Sequence, residues 1–463
     1  MRTPAFLLII TFFLSGCAAG PNYKKPAVNT PTVYRGLTPD EAAKNDPTSL
    51  GDENWLDVFQ DQQLQELIKT ALQQNYDVRR AGTRILQAQA SLGITRSQQF
   101  PTIGAQAQTI DERTARSKVI PPIETSANQL GVNFDWELDF WGRFRRATEA
   151  ARANLAATEW GRREIIRQLI ANLAASYFTL RSMDLQLEIS RSTLASRQDS
   201  LRLTKMLAEG GSTSMLDVRQ AEQLVFTAAS EIPFLEQQIE QQENFISILM
   251  GNNPGPIPRG KPLTEQAHAP VVPAGLPSSL LARRPDILQA EQQLVSANAQ
   301  IGVARSLYFP QITLTGVAGY QSSALSGLLA GPAGFWTFGS TLAQPIFTAG
   351  RLRSNVRLAE AQQQEAVLFY QETIQGAFRE VSDALIAYRK TQEFSQQQNF
   401  LVDSAQDATR LSHLRYSGGA TSYLEVLTND TNYFNAELGL VQARLNEQLA
   451  LVQLYKGLGG GWQ

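Results

Sequence analysis

The 463-residue chain holds a single cysteine, Cys17, so no disulfide can form within it. Histidine is nearly as scarce, with His268 and His413 the only two. Neither stands in a metal-binding or nucleophile-activating motif, and both read as plain surface residues. No phosphate-binding glycine loop, nucleophile elbow or paired-histidine helix signature is found. The expectation is therefore no enzyme, no cofactor and no metal site. An excess of one charge is missing too. Lys and Arg number 41 against 43 Asp and Glu, a formal net charge of -2, which leaves no basic footprint for nucleic acid. Long apolar runs are also absent. After residue 20 none approaches the roughly 18 residues that a spanning helix needs. Such a chain can cross a membrane only with strands.

What is present starts with Met1-Arg2-Thr3-Pro4, an apolar stretch from Ala5 to Leu14, and then Leu14-Ser15-Gly16-Cys17. A positive region, an apolar core and a small-residue site read as a secretory signal over residues 1–16. Leu-Ser-Gly-Cys resembles the bacterial lipobox. That resemblance implies that Cys17 becomes the acylated first residue of the mature protein. Ala18 follows it, where Asp would signal inner-membrane retention, and this implies an outer-membrane address. The bland alternative is an ordinary signal peptide with a chance cysteine. Residues 17–54 carry Pro21, Pro26, Pro31, Pro39 and Pro47 and read as a lipidated, extended leader.

The chain repeats itself at an offset of 208 or 209 residues. Phe100-Pro101 returns as Phe309-Pro310, and Gly142-Arg143 as Gly350-Arg351. The segment from Gly211 to Val218 returns from Gly419 to Val426. A first repeat over 55–250 and a second over 286–457 flank a connector at 251–285 rich in proline and glycine, and 458–463 form a tail.

Each repeat opens with a helix, predicted at about 64–98 and 286–306. Strands follow. Leu130, Val132, Phe134, Trp136, Leu138 and Phe140 alternate with Gly131, Asn133, Asp135, Glu137 and Asp139. Period-2 alternation places an apolar, aromatic set on one face and an acidic set on the other, over a length that suits a tilted bilayer span. Its expected partners are 102–111, 311–321 (Ile312, Leu314 and Tyr320 on one face) and 335–346 (Trp336, Phe338, Leu342 and Ile346 on one face). Pro345 belongs at a rim or bulge, and loops are expected at 112–127 and 322–334. Helices without proline then run over 143–208 and 351–416, each roughly 100 Å long if continuous. Ile166, Ile170, Leu173, Tyr177 and Leu180 give a heptad seam, repeated by Ile374, Phe378, Val381, Leu385 and Tyr388. Gly210-Gly211 and Gly418-Gly419 suit left-handed helix ends. Ser-Thr-Ser and Ala-Thr-Ser offer N-caps to returning helices at 215–250, with Pro233 as a kink, and 423–456.

Four strands per chain cannot close a barrel, and an open edge is intolerable in lipid. Two chains would give eight strands with a filled interior; three would give twelve, with room for a lumen. The preferred fold class is thus a mixed α and β membrane protein: a trimeric 12-strand β-barrel continuous with a long periplasmic α-helical barrel.

Several segments resemble the TolC-like outer-membrane channels, in the lipoprotein branch that serves resistance-nodulation-division efflux pumps. They are Cys17-Ala-Ala-Gly-Pro-Asn-Tyr-Lys-Lys-Pro26, Asn54-Trp55 with Phe59, the run Gly275 to Ile287 containing Arg283-Arg284-Pro285-Asp286, and Tyr416 to Leu427. The resemblance covers essentially the mature chain. It implies a homotrimeric exit duct in the outer-membrane lipid. Its implied partners are a periplasmic adaptor (membrane fusion) protein and an inner-membrane transporter, and its cargo small molecules such as drugs. It also implies a gate at the periplasmic helical tip. The family's ring acids fall on Glu425 and Thr428. Thr428 departs from the frequent Asp, and Asp430, two residues on, faces elsewhere. Tyr416 matches a tyrosine that ties neighbouring helices, with Asp217 as its acidic partner. Gly210, Gly211, Gly418 and Gly419 would be the adaptor-docking tips. Phe134, Trp136, Phe140, Tyr320, Trp336 and Phe338 form the expected aromatic membrane face. The duct of a type I protein-secretion system and a non-channel structural lipoprotein are the alternatives.

Overall fold

The computed structural model describes residues 18–37, 48–116, 119, 121–266 and 273–462. The expected signal peptide, Cys17 and His268 lie outside the described residues.

The chain first forms α1 (Trp55–Val58), α2 (Gln62–Gln74) and α3 (Tyr76–Ser97). The single helix predicted over 64–98 is two. Asn75 leaves the helical conformation (φ -55, ψ 129), and its Oδ1 accepts from the N–H groups of Asp77 at 2.8 Å and Val78 at 3.1 Å, starting α3 anew. Then come β1 (Thr102–Arg113), β2 (Glu124–Glu137), α4 (Arg143–Glu209) and α5 (Met215–Leu249). Past a connector holding the short α6 (Leu280–Arg283), the order recurs: α7 (Pro285–Ser306), β3 (Gln311–Ser322), β4 (Gly334–Ala343), α8 (Arg351–Ser417) and α9 (Tyr423–Gly457). The long helices α4 and α8 have 67 residues each, and the returning α5 and α9 have 35 each. Pro233 lies inside α5.

Two compact units result, each drawing on both halves of the sequence. Among the described residues, one comprises those within 18–27, 84–159 and 289–371, and the other those within 28–83, 160–288 and 372–462.

The first unit holds an antiparallel sheet in the order β1-β2-β3-β4. Its strands differ from expectation at their ends. β1 and β2 reach further into the predicted 112–127 loop. β2 stops at Glu137, so Leu138, Asp139 and Phe140 are not strand residues. The Asp139 carboxylate instead accepts from the N–H groups of Phe144 at 3.1 Å and Arg145 at 2.9 Å, which satisfies two orphan donors at the start of α4. β4 ends at Ala343, which leaves Pro345 and Ile346 beyond the ladder that a proline cannot extend.

The second unit is helical and holds the main apolar core. Ile170, Leu173, Tyr177 and Leu180 of the first seam are buried, as are Ile374, Val381, Leu385 and Tyr388 of the second. Ile166 and Phe378 pack against the same core. Buried Asp61 ties three segments together. One oxygen caps α2, accepting from the N–H groups of Gln63 and Leu64. The other accepts from the Tyr177 hydroxyl of α4 at 3.0 Å, and from Lys261 N–H at 3.0 Å and the Gln266 amide at 2.9 Å in the connector. Buried polar groups without such partners would be costly.

The Arg283-Arg284-Pro285-Asp286 segment acquires a physical meaning here. Arg284 is only 1% exposed. Its guanidinium forks onto Asp286 at 3.0 and 2.5 Å, reaches Glu380 at 2.8 Å and donates to the Gly457 carbonyl at 3.0 Å. Arg167, equally buried, donates to the Lys456 carbonyl at 2.6 Å. Two cations thus close the C-terminal end of α9, where orphan carbonyls and the helix dipole favour positive charge. Burial pushes the Asp286 carboxyl up, but the Arg284 bonds and charge outweigh it and hold it below the usual carboxylate range.

Arg284→Ala is expected to destabilise the helical unit by about 3–5 kcal/mol, because it strands Asp286 without its partner. Arg284→Lys keeps the charge but loses the fork, and falls between. Denaturant midpoints followed by circular dichroism would measure both; a wild-type midpoint for Arg284→Ala would refute the assignment.

Candidate functional site

Three regions carry the expected functional residues, and the sheet is the first. Directly opposed residues in an antiparallel ladder share a face. Register pairs Leu130 with Tyr320, Val132 with Ala318, Phe134 with Gly316, and Trp136 with Leu314. It also pairs Ala318 with Trp336, Gly316 with Phe338, and Ile312 with Leu342. On β1 the same face carries Ile103, Ala105 and Ala107. Between these positions one face is apolar on all four strands except at Ser340, opposite Leu314, while the other is mostly polar, with Gln106, Gln129, Asn133, Asp135, Thr313, Thr315, Thr337 and Thr341 beside Val317 and Phe335. Trp336 is 77% exposed and Phe338 63%. An uncovered apolar face of this breadth marks contact with lipid or a partner. Trp136 has a polar handle, its Nε1 donating to the Gln99 carbonyl at 3.1 Å, which suits a place at a membrane interface. Phe140 drops out of the expected aromatic set. It lies in the turn before α4, with its N–H on the Leu138 carbonyl.

The tips of the hairpins α4–α5 and α8–α9 form the second region. Both turns bond alike. Gly211 N–H meets the Ala208 carbonyl and Ser212 N–H the Leu207 carbonyl; Gly419 and Ala420 do the same to Tyr416 and Arg415. This is a Schellman ending, which needs a left-handed residue. Gly211 (φ +73) and Gly419 (φ +71) supply it; Gly210 and Gly418, expected to share that role, do not.

Beyond the turns the copies diverge. Ser214 and Asp217 form a capping box at the start of α5. Ser422 holds the same place before α9 but makes no side-chain cap. The expected direct bond from Tyr416 to Asp217 is replaced by a relay: the Tyr416 hydroxyl meets Thr213 Oγ1 at 3.3 Å, and Thr213 donates to Asp217. One Asp217 oxygen, Oδ2, accepts both from Thr213 and from the Ser214 N–H of the capping box. Tyr416 also packs edge-on against Tyr423, with ring centroids 5.3 Å apart, beside the buried Ala221 and Val426. Glu425 accepts from Thr421 and lies 3.4 Å from Arg415. Thr428 is exposed, its hydroxyl turned back onto the Leu424 carbonyl at 2.8 Å. Asp430 faces the other way and meets His413 Nε2 at 2.9 Å. His413 is thus not the unpartnered surface residue expected. The pair spans 17 positions across the turn, and no local motif signals it.

The leader is the third region. Ala19 N–H donates to the Trp141 carbonyl at 2.9 Å. Buried Arg146 holds the Ala19 and Gly20 carbonyls and Asn22 Oδ1, the last at 2.7 Å. Asn298 donates to the Pro21 carbonyl at 3.0 Å, and Lys25 pairs with Glu291 at 2.7 Å. A Cβ on Gly302 would lie 2.7 Å from the Ala19 carbonyl oxygen, so only glycine allows this approach. The segment from Ala19 to Lys25 is therefore strapped down.

The family model of outer membrane efflux proteins matches twice, over residues 67–252 and 276–460. The chain belongs to the outer membrane efflux protein family. It is 36% identical over 479 residues to the outer membrane protein TtgF of a toluene efflux pump from Pseudomonas putida, covering all of this chain and 98% of that protein. It is 34% identical over 461 residues to the cation efflux system protein CusC of Escherichia coli, covering 98% of each. Among solved structures, the open state of the Neisseria gonorrhoeae MtrE outer membrane channel superposes with a TM-score of 0.87 at 30% identity, covering 96% of this chain and 99% of that one. The outer-membrane channel OprN gives 0.88 at 29%, covering 96% and 100%. The chain is an outer-membrane efflux component of a Gram-negative bacterium, with a TolC-like fold.

In an outer-membrane channel an apolar face of this kind is expected to meet lipid. Phe338→Arg is expected to cost about 2–4 kcal/mol in barrel stability, the range for a cation on a lipid face near the bilayer centre. Thr337→Arg, next in sequence but on the opposite face, should be near neutral. Urea-dependent unfolding from bilayers compares them, and equal costs would refute the face assignment.

Proposed function

We propose that three copies of this chain close into a twelve-strand barrel that passively conducts small molecules out of the periplasm, with a gate at the helical tips. One observation carries the reading. The four-strand sheet presents a broad apolar face, interrupted alongside Leu130 to Trp136 and their partners only at Ser340, and among the described residues both edge strands, β1 and β4, have a neighbour on one side only. In lipid those edges must be paired, and further copies of the chain can do so, β1 to β4 around a ring. Three rather than two copies leave room for a lumen.

On this reading residues 1–16 are removed as a signal and Cys17 carries the acyl anchor, next to the strapped leader. The tip glycines Gly211 and Gly419 meet a periplasmic adaptor, which links the duct to an inner-membrane resistance-nodulation-division transporter. The two repeats, 55–250 and 286–457, descend from a duplication. The duct does no chemistry of its own. Its cargo is of the kind named for its relatives, apolar solvents such as toluene or metal cations, or drugs. Glu425, 34% exposed at its side chain, is the acid best placed to narrow the pore. Asp217 and Tyr416 hold the tip together through Thr213.

Planar-bilayer recording tests this. Wild-type trimers should give small, cation-preferring currents. Glu425→Ala combined with Asp217→Ala should enlarge them several-fold and weaken the cation preference. Silence from well-folded trimers of both forms would refute the pore, and equal currents would move the gate away from the tips.

A further inference from the structure

A cavity of about 460 Å³ lies in the helical unit, lined by α4 of the first hairpin and by α8 and α9 of the second. The titratable groups facing it are Glu188 and Arg197 from α4, His413 from α8, and Asp430, Tyr433 and Glu437 from α9. Two features stand out. Arg197 is 4% exposed, yet among the described residues its Nε has no acceptor. One Nη donates to the Leu224 carbonyl of its own hairpin at 3.0 Å, and the guanidinium sits 5.0 Å from the centre of the Phe434 ring in the other hairpin. Beside it, Asp430 is engaged with His413, a bond wholly within the second hairpin.

We propose that Arg197, Asp430 and His413 form a proton-set latch between the hairpins: protonated His413 keeps Asp430 within the second hairpin, and loss of that proton releases Asp430 to the Nε of Arg197 in the first. The latch rests on the tip-gate reading, in which movement between hairpins widens or narrows the pore. The cavity gives the Asp430 side chain room to turn.

The electrostatics set the direction. The Asp430 hydrogen bond raises His413 above its ordinary value, against the opposing effect of burial. A group raised on folding stabilises fully below its unfolded value, near pH 6.5, and that contribution is lost as pH rises through the raised one. Above that point the cation left to face Asp430 is Arg197, whose own charge burial disfavours but does not remove. The neighbours do not compete. Glu188 is exposed to solvent. Burial raises the Glu437 carboxyl, which accepts from Tyr433. Tyr423 also faces Asp430, and its phenol, pushed up to about 12 chiefly by burial, remains neutral. A bond between hairpins at alkaline pH narrows the tip, and its release in acid widens it.

The test uses lipidated full-length trimers. In a His268→Gln background His413 is the sole histidine, and its titration can be followed by nitrogen-15 NMR. Asp430→Asn should bring its midpoint down to the ordinary histidine value or below it, since burial alone lowers it. Arg197→Gln should raise it, since coupling between two sites is reciprocal. In bilayers, wild-type conductance should fall several-fold between about pH 5 and pH 8. His413→Gln should stay at the low alkaline level at every pH, and Asp430→Asn at the high acid level. Persistence of the wild-type pH profile in both variants, or a His413 midpoint unmoved by Arg197→Gln, would overturn the latch. Silence of every variant would instead refute the pore, while the His413 titration still decides whether the three residues are coupled.

Discussion

A strand edge left bare in lipid is the constraint on which the rest of this molecule depends. Each unpaired peptide group in hydrocarbon costs several kcal/mol, so a four-strand sheet with two open edges cannot be a membrane structure alone. Such a sheet can nevertheless be built with one face largely apolar and the other largely polar, which suits it to lipid on one side and water on the other. The matched register shows that fit. Where β3 has small residues on its apolar face, Gly316 and Ala318, its neighbours carry Phe134 and Phe338, and Trp336. Bulk on one strand sits beside small side chains on the next, and the face stays largely apolar.

The helical unit faces a different problem, because its long helices end in sites where orphan carbonyls must be satisfied. A glycine turn closes the helix at both ends of the hairpins: Gly211 and Gly419 at the tips, and Gly251 (φ +79) and Gly459 (φ +87) after α5 and α9, all with the same pair of backbone bonds. The C-terminal end of α9 adds a second device. There, two buried arginines from separate segments hold its last carbonyls and are themselves neutralised by Asp286, Glu164 and Glu380. The first solution is local and survives duplication unchanged. The second depends on residues far apart in sequence and, among the described residues, is seen at α9.

That difference also explains what could be read from the residues alone. Helix lengths were legible because proline is absent from 143–208 and 351–416, and the seams because apolar residues recur at heptad spacing. The faces of the sheet were legible because alternation fixes which side chain points where. Strand ends were not. The alternation through Leu138 and Phe140 continues past Glu137, and only the capture of α4 N–H groups by Asp139 ends the strand. Asn75 breaks a helix although its neighbours favour one, since its side chain rewards the break with two hydrogen bonds. The His413–Asp430 pair, the Thr213 relay and the cradle of Arg284 join residues whose proximity exists only after folding.

The tip shows how duplication frees one copy to change. In the first copy Asp217 closes a capping box, so its charge belongs to the helix start and is shared with Thr213. In the second copy Ser422 makes no cap, so Glu425 is not held by a capping serine; Thr421 and Arg415 partner it instead. Thr428 adds no charge beside it, and Arg415 offsets part of what Glu425 brings. A ring built from Glu425 therefore holds weaker charge than a double ring of acids would. In the proposed gate, closure then rests more on packing, through Tyr416 against Tyr423 with Ala221 and Val426 beside them, and on contacts between hairpins. Arg197 reaches from one hairpin to the Phe434 ring of the other, and the thin charge at the tip is the reason such a second contact carries weight.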